Sequence, residues 1–214
     1  MKVALLSTHE TKGGAAAIKF LIESLSSKDT SAAFIASQPD TERHFFNQVK
    51  DFYKSIGVNL DTSIDLEGGF DEALMDRVLS KPIVHLSGGN TYRCLHSLKS
   101  RGLGEKMVEF AQLGGVFIGV SAGAMLLTPT IESAALCGDV NHVGLNNFSS
   151  LGVVDFMFVP HATNQQAEFH EARKLAIQRN RNIYLCNDEE SIVILNKQIH
   201  LFGQPTLLRC ASDA

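Results

Sequence analysis

The chain has 214 residues, of which 44% are hydrophobic and 20% charged, a composition typical of a globular domain in water. Its formal net charge is −4 and its isoelectric point is near 6.0. Lysine and arginine are scattered along the chain and form no basic patch, which argues against nucleic acid as a partner and favours a small solute.

Neither end of the chain nor its interior shows an apolar run suited to a membrane. The first apolar residues, 1–7, are too few for a signal-peptide core, and nowhere do about 18 apolar residues follow one another. We therefore expect a cytoplasmic protein with no membrane partner, folded as a single domain over residues 1–214. A monomer and a homodimer both fit the sequence.

The cysteines and histidines lack the spacing of metal sites. The four cysteines form no C-x-x-C pair, and the eight histidines include no H-E-x-x-H. We expect reduced thiols and no metal. The cysteines are Cys94, Cys137, Cys186 and Cys210.

Short apolar runs rich in β-branched or aromatic residues alternate with amphipathic stretches. In this pattern strands separated by helices form a mainly parallel sheet with helices on both faces, a doubly wound α/β domain. In chain order the pattern predicts a strand at 3–6, a helix at 15–25, a strand at 32–36 and helices at 45–56 and 71–79. A strand at 83–86 comes next, with a helix after it. A helix at 107–113, strands at 116–120 and 156–159 and a helix at 169–177 follow.

The rhythm changes near the C-terminus. Three strand-like runs, 183–185, 191–195 and 198–202, follow one another with only turn residues between them, and Asn196-Lys197 suits a hairpin turn. We predict an antiparallel extension of the sheet edge. Residues 138–152 are rich in Gly, Asn and Ser and are predicted to form a long loop, a type of segment that is often functional.

The segment "FIGVSAGAMLL" places Ser121 at the turn between a buried strand and a helix. Residues 119–123 fit G-x-S-x-G, in which a sharp turn projects the hydroxyl from the sheet edge while the next N–H, that of Ala122, points to where an oxyanion would form. A serine that only caps the helix is the alternative.

Two further segments end strands at the same predicted edge. After the strand at 83–86, the consecutive Gly88 and Gly89 allow backbone N–H groups to face a ligand, although a plain turn capped by Asn90 would have the same sequence. The strand at 156–159 leads through Pro160 to His161, a candidate base that could equally be a surface histidine.

Together, "LSGGNTYRCL" (86–95), "FIGVSAGAMLLTPTI" (117–131) and "FVPHATN" (158–164) resemble the peptidase E family, the aspartyl dipeptidases among serine peptidases. The resemblance implies a fold similar to class I glutamine amidotransferases. In those enzymes a cysteine would be expected at the elbow, so the serine favours the peptidase branch.

The resemblance implies that Ser121 is the nucleophile and His161 the general base, with the backbone N–H groups of Gly88, Gly89 and Ala122 as the oxyanion hole. For the third triad member it favours Asp139, which stands 22 residues before His161. Glu132 is the runner-up. This acyl transfer needs no cofactor.

The family further implies dipeptides of the Asp-X type as substrates, and a carboxylate in a pocket calls for an arginine. Its specificity arginine has no secure counterpart here. The candidate substrate-binding residues are Asn90, Asn164 and Arg173, with Arg93 and His170 beside them. Two other functions remain open: another serine hydrolase, such as an esterase or a cyanophycinase-like peptidase, and a non-catalytic protein that binds a metabolite in the same cleft.

Overall fold

A computed structural model of the chain describes residues 1–25, 29–163 and 165–210. A 3₁₀-helix spans Glu132–Cys137. The other elements of the described residues, in chain order, are β1 (Lys2–Leu6), α1 (Lys12–Glu23), β2 (Ser31–Ala36), α2 (His44–Ser55), β3 (Asn59–Asp65), α3 (Glu72–Leu79), β4 (Ile83–Leu86), α4 (Thr91–Ser100), α5 (Gly104–Gln112), β5 (Val116–Val120), α6 (Ala122–Leu126), β6 (Met157–Val159), α7 (Gln166–Arg179), β7 (Ile183–Leu185), β8 (Ser191–Leu195), β9 (Gln198–Phe202) and β10 (Thr206–Leu208).

A seven-stranded sheet with the order β3-β2-β4-β5-β1-β8-β9 forms the centre of the molecule. Its first five strands run parallel, and β8 is antiparallel to both of its neighbours. Apolar side chains are buried on both faces, one set around Phe117 and the other around Phe34. The doubly wound α/β architecture is confirmed.

The polar strand β3 is absent from the sequence prediction. It lies at the edge of the sheet and pairs with β2 alone, so most of its side chains face solvent and only Leu60 and Ile64 are buried. Such a strand lacks the apolar run that marks a buried one.

The C-terminal extension is antiparallel as predicted for β8 and β9, whose turn residues Asn196 and Lys197 both have positive φ, as a two-residue hairpin turn requires. The prediction is wrong for residues 183–185. β7 belongs to a second sheet of order β10-β7-β6 and runs parallel to β6, because α7 connects the two strands as a crossover.

The strand register brings several chain ends to one edge. Leu6 on β1 pairs with Val120 on β5, and Leu86 on β4 pairs with Gly119, so the residues that follow these three strands start at the same level. Likewise, Val159 on β6 pairs with Leu185 on β7. Ligands of open parallel sheets bind at this carboxyl edge.

A polar pair lies inside the core between α2 and β4. Tyr53 is fully buried and His85 is 1% exposed, and the tyrosine hydroxyl lies 3.2 Å from His85 Nδ1. The imidazole also stacks on Phe34, with the two ring centres 5.4 Å apart. Desolvation lowers the pKa of His85 to about 3 and raises the pKa of Tyr53, so both side chains are neutral near pH 7.

The buried imidazole should make the free energy of unfolding depend on pH. Since the pKa of His85 falls from 6.5 to about 3 on folding, the unfolded chain binds a proton that the folded protein excludes, and stability is lost as pH falls below 6.5. We expect the free energy of unfolding of the native protein to fall by about 1 kcal/mol more per pH unit than that of His85→Phe between about pH 6 and pH 4.

Urea unfolding at several pH values measures this difference in slope. The loss of the partner of Tyr53 shifts the variant curve as a whole and leaves its slope unaffected. His96→Phe, at an exposed position on α4, is the matched control and should retain the native slope. Parallel curves for the native protein and His85→Phe would contradict the prediction.

Candidate active site

Ser121 occupies a strained turn between β5 and α6. Its backbone has φ 51° and ψ −112°, a conformation that residues other than glycine rarely adopt. The N–H of Ser121 donates to the carbonyl of Leu6 at 2.8 Å, which holds the turn against β1. Ser121 stands at the N-cap position of α6, but its hydroxyl makes no capping bond there, so the alternative of a side-chain helix cap is not supported.

Two glycines let the turn form. A β-carbon on Gly119 would lie 2.7 Å from the α-carbon of Ala124, and one on Gly123 would lie 2.2 Å from the carbonyl oxygen of Leu86. Any side chain at either position would separate α6 from the strands. The G-x-S-x-G spacing is therefore a packing requirement. It leaves Ala122 at the first helical position, where N–H groups have no partner inside a helix.

His161 lies against the serine. Its Nε2 is 3.1 Å from Ser121 Oγ, and its Nδ1 is 2.6 Å from Oδ1 of Asp188. Because an ionised carboxylate only accepts hydrogen bonds, Nδ1 carries the proton, and the lone pair of Nε2 accepts from the serine hydroxyl. The three side chains form a continuous chain from carboxylate to hydroxyl.

Neither predicted acid contacts the histidine. The Oδ2 atom of Asp139 accepts the N–H of Thr91 at 2.8 Å and thus helps to cap α4. Glu132 forms an ion pair with Arg179 and accepts the hydroxyl of Thr130 at 3.2 Å. The expectation that one of them completes the triad is wrong, because Asp139 is held at the start of α4 and Glu132 is paired with Arg179 on α7.

The position of Asp188 could have been found from the order of the strands. It follows β7, and β7 runs parallel to β6, whose carboxyl end leads to His161. The acid and the histidine therefore leave neighbouring strands at the same edge. The antiparallel assignment of residues 183–185 concealed this relation.

Contacts from the start of α1 hold the loop that carries Asp188. The hydroxyl of Thr11 donates to the carbonyl of Asp188 at 2.6 Å, and the N–H of Gly13 donates to Glu189 Oε2 at 3.2 Å. A β-carbon on Gly13 would lie 1.8 Å from the carbonyl oxygen of Glu189, so this approach also needs glycine.

Ser7 fixes the backbone of His161, a role that the sequence did not reveal. His161 has φ 57°, and its N–H donates to Ser7 Oγ at 3.0 Å. The same hydroxyl donates to the carbonyl of Cys186 at 3.0 Å, and Ser7 is 1% exposed. This one buried hydroxyl therefore connects β1 with the segments that follow β6 and β7.

The glycine turn after β4 is fixed to β2. The hydroxyl of Ser37 donates to the carbonyl of Gly88, and the N–H of Ser37 donates to Ser87 Oγ at 2.8 Å. Because C=O and N–H of a trans peptide point in opposite directions, the N–H of Gly89 points away from Ser37. Gly88 lies beside the nucleophile, since a β-carbon on it would be 3.4 Å from Ser121 Cβ.

A cavity of about 380 Å³ opens beside Ser121 and His161. It lies among the carboxyl ends of the central strands and α2, and the described residues that line it include no arginine or lysine. A larger cavity of about 890 Å³ between α4, α5 and residues 149–151 contains neither Ser121 nor His161.

The predicted substrate-binding side chains that the structure describes do not line the cavity beside Ser121. Asn90 caps α4 by accepting the N–H of Arg93 at 3.0 Å and donates to the carbonyl of Val140 at 3.1 Å. Arg93 pairs with Glu67, while Arg173 and His170 are exposed on α7. Asn164 lies outside the described residues.

Metal-binding groups and membrane-spanning helices are both absent from the described part of the chain. It holds no group of three or more His, Cys, Asp or Glu side chains placed to bind a metal ion. None of its helices combines the length and the apolar character needed to cross a membrane.

Comparisons with solved structures and curated sequences agree with this architecture. The structure superimposes on a peptidase E candidate from Listeria monocytogenes with a TM-score of 0.73 and 24% identity, covering 94% of this chain and 96% of that one. A peptidase from an acI-B1 actinobacterium gives a TM-score of 0.70 at 17% identity, over 98% and 91% of the two chains. At these identities the likeness shows the fold.

Among curated sequences, an uncharacterized peptidase of Pasteurella multocida is 29% identical over 60% of this chain and 62% of its own length. Peptidase E of Salmonella arizonae is 31% identical over 56% of this chain and 51% of its own. The matches thus span about half to three fifths of these relatives. The model of peptidase family S51 matches residues 3–202, so the chain belongs to that family.

Proposed function

We propose that this protein is a serine peptidase that hydrolyses short peptides through an acyl-enzyme on Ser121. The observation that carries the proposal is the hydrogen-bonded chain from Asp188 through His161 to Ser121, with distances of 2.6 and 3.1 Å. Membership of peptidase family S51 supports the same reaction class.

Each side chain has one part in the proposed first step. His161 Nε2 accepts the proton of the Ser121 hydroxyl as Oγ bonds to the peptide carbonyl carbon, and Asp188 stabilises the imidazolium through Nδ1. The carbonyl oxygen becomes an anion, which in this proposal the N–H groups of Ala122 and Gly89 stabilise. His161 then protonates the leaving amine, and the peptide C–N bond breaks.

Water completes the cycle. It enters where the amine has left and gives a proton to His161 Nε2 as its oxygen bonds to the acyl carbon. The ester bond to Ser121 breaks, His161 returns the proton to the serine oxygen, and the acid product leaves. No step requires a cofactor.

The substrate in this proposal is a short peptide and is not restricted to Asp-X. Relatives named peptidase E and the motif resemblance suggest an N-terminal aspartate. A cation would be needed to stabilise its carboxylate, and no arginine or lysine is found where the structure describes the lining of the cavity beside Ser121.

Loss of the nucleophile is the first test. Ser121→Ala should fold like the native protein and show peptide hydrolysis reduced by several powers of ten, because no other group can form the acyl-enzyme. A fluorophosphonate should label the native protein and leave Ser121→Ala unlabelled. Ester hydrolysis without peptide hydrolysis would indicate another serine hydrolase, and failure of the native protein to react would indicate a binding protein.

The identity of the acid is tested by a matched pair of variants. Asp188→Asn should lower kcat by roughly 10³ to 10⁴, since an amide that donates to Nδ1 stabilises the wrong tautomer of His161. Asp139→Asn should keep kcat within about threefold, because the asparagine oxygen still accepts the N–H of Thr91. The reverse order of the two effects would restore Asp139 as the acid.

Ser7 is expected to act as a positioning residue. Ser7→Ala removes the acceptor for the N–H of His161 and the donor to Cys186, so the imidazole should lose its alignment with Ser121 Oγ. We expect kcat and the rate of fluorophosphonate labelling to fall together by about 10- to 100-fold, with KM little changed. Ser7→Cys, which keeps a weak donor and acceptor, should restore part of the rate. A loss of stability with native kcat would show a role in folding alone.

A further inference from the structure

The lining of the cavity beside Ser121 combines carboxylates with neutral polar groups. Glu10 and Asp40 both border it. Asp40 accepts the N–H groups of Phe45 and Phe46, at 3.4 and 2.9 Å, whereas the carboxylate of Glu10 has no hydrogen-bond or ion-pair partner among the described residues. The Asp and Glu side chains of the described lining are thus joined by no Lys or Arg, an arrangement that disfavours an acidic ligand.

The floor of the same cavity includes a buried histidine with one ring nitrogen that no described protein group contacts through a hydrogen bond. His85 lines the cavity while only 1% of its surface is exposed. Its Nδ1 is taken by the hydroxyl of Tyr53, and its Nε2 has no hydrogen-bond partner within the described part of the chain. The Nε2 atom keeps access to the cavity, so a ligand bound there can form a hydrogen bond with it.

Tyr53 determines which proton His85 presents. The tyrosine is fully buried, and His85 is its only side-chain hydrogen-bond partner among the described residues, so its O–H must donate to Nδ1 to be satisfied. The neutral imidazole then carries its proton on Nε2. The cavity thus has a hydrogen-bond donor at its floor and acceptors at Glu10 and Asp40.

We propose that this cavity binds the side chain of the residue on the acyl side of the cleaved bond, and that the preferred side chain is a primary amide, glutamine above all. The inference rests on the proposed function. The amide oxygen accepts from His85 Nε2, and the amide NH₂ donates towards the carboxylates. Glutamate has the same shape but brings a third negative charge, and lysine or arginine brings no acceptor for His85.

The depth of the cavity favours glutamine over asparagine. His85 is in register with Ile118, three residues before Ser121, a separation of about 10 Å along parallel strands. An extended glutamine side chain places its oxygen about 5 Å from its α-carbon, and a hydrogen bond adds about 3 Å. The longer glutamine side chain spans more of this separation than asparagine does.

Isosteric substrates test the charge and the amide separately. For the native protein we expect kcat/KM for Gln-Ala to exceed that for Glu-Ala by at least about tenfold, and that for Leu-Ala by a smaller factor. Glu10→Gln should reduce the Gln-Ala to Glu-Ala ratio severalfold. Glu105→Gln, at a position in the larger cavity between α4 and α5, is the matched control and should keep the ratio. His85→Phe should reduce the Gln-Ala to Leu-Ala ratio by about tenfold.

Calorimetric binding of Gln-Ala and Glu-Ala to Ser121→Ala separates recognition from chemistry. Tighter binding of Gln-Ala supports the inference even if the native protein hydrolyses no dipeptide, a result that would overturn the proposed function alone. Hydrolysis that depends on Ser121 but favours Glu-Ala or Asp-Ala would overturn the inference alone. Absence of both hydrolysis and binding would overturn both.

Discussion

Two consecutive residues at the end of β1 hold the proposed nucleophile and base in place. The carbonyl of Leu6 accepts the N–H of Ser121, and the hydroxyl of Ser7 accepts the N–H of His161. Both partners have positive φ, a conformation that costs roughly 1–3 kcal/mol per residue and persists only where the surroundings impose it. The central strand supplies that constraint, since β1 lies between β5 and β8 and its interior residues are fully buried.

This arrangement also joins the two sheets. Ser121 follows a strand of the seven-stranded sheet, while His161 and Asp188 follow β6 and β7 of the smaller one. Ser7 donates to the carbonyl of Cys186, just after β7, so this hydroxyl links the two sheets at the edge where the three side chains meet. Each hydrogen bond of this kind contributes about 1 kcal/mol to stability. A misplacement of a catalytic group by about 1 Å, however, lowers the reaction rate by more than that free energy corresponds to.

The sequence predicts those parts of the site that depend on local packing. The glycines around Ser121 mark a close approach, and the apolar strands before Gly88 and His161 mark a common edge. Asp188 is different, because its place depends on which sheet β7 joins and in which direction, a property of strand pairing far apart in the chain. Spacing from His161 could not substitute for that knowledge, and Asp139 at the expected spacing caps α4.

The proposed catalytic side chains and the polar lining of the cavity come from different elements of the fold. The reaction type can therefore be retained while the preferred substrate side chain changes. The three proposed catalytic side chains come from the turns after β5, β6 and β7. The polar lining of the cavity comes from β4, the turns after β1 and β2, and α2. If the cavity binds the substrate side chain as proposed, a change at Glu10 or His85 alters the charge or the hydrogen bonding that this side chain meets, and the backbone contacts of Ser121 stay the same. Membership of the family therefore constrains the proposed reaction more tightly than it constrains which substrate side chain the cavity binds.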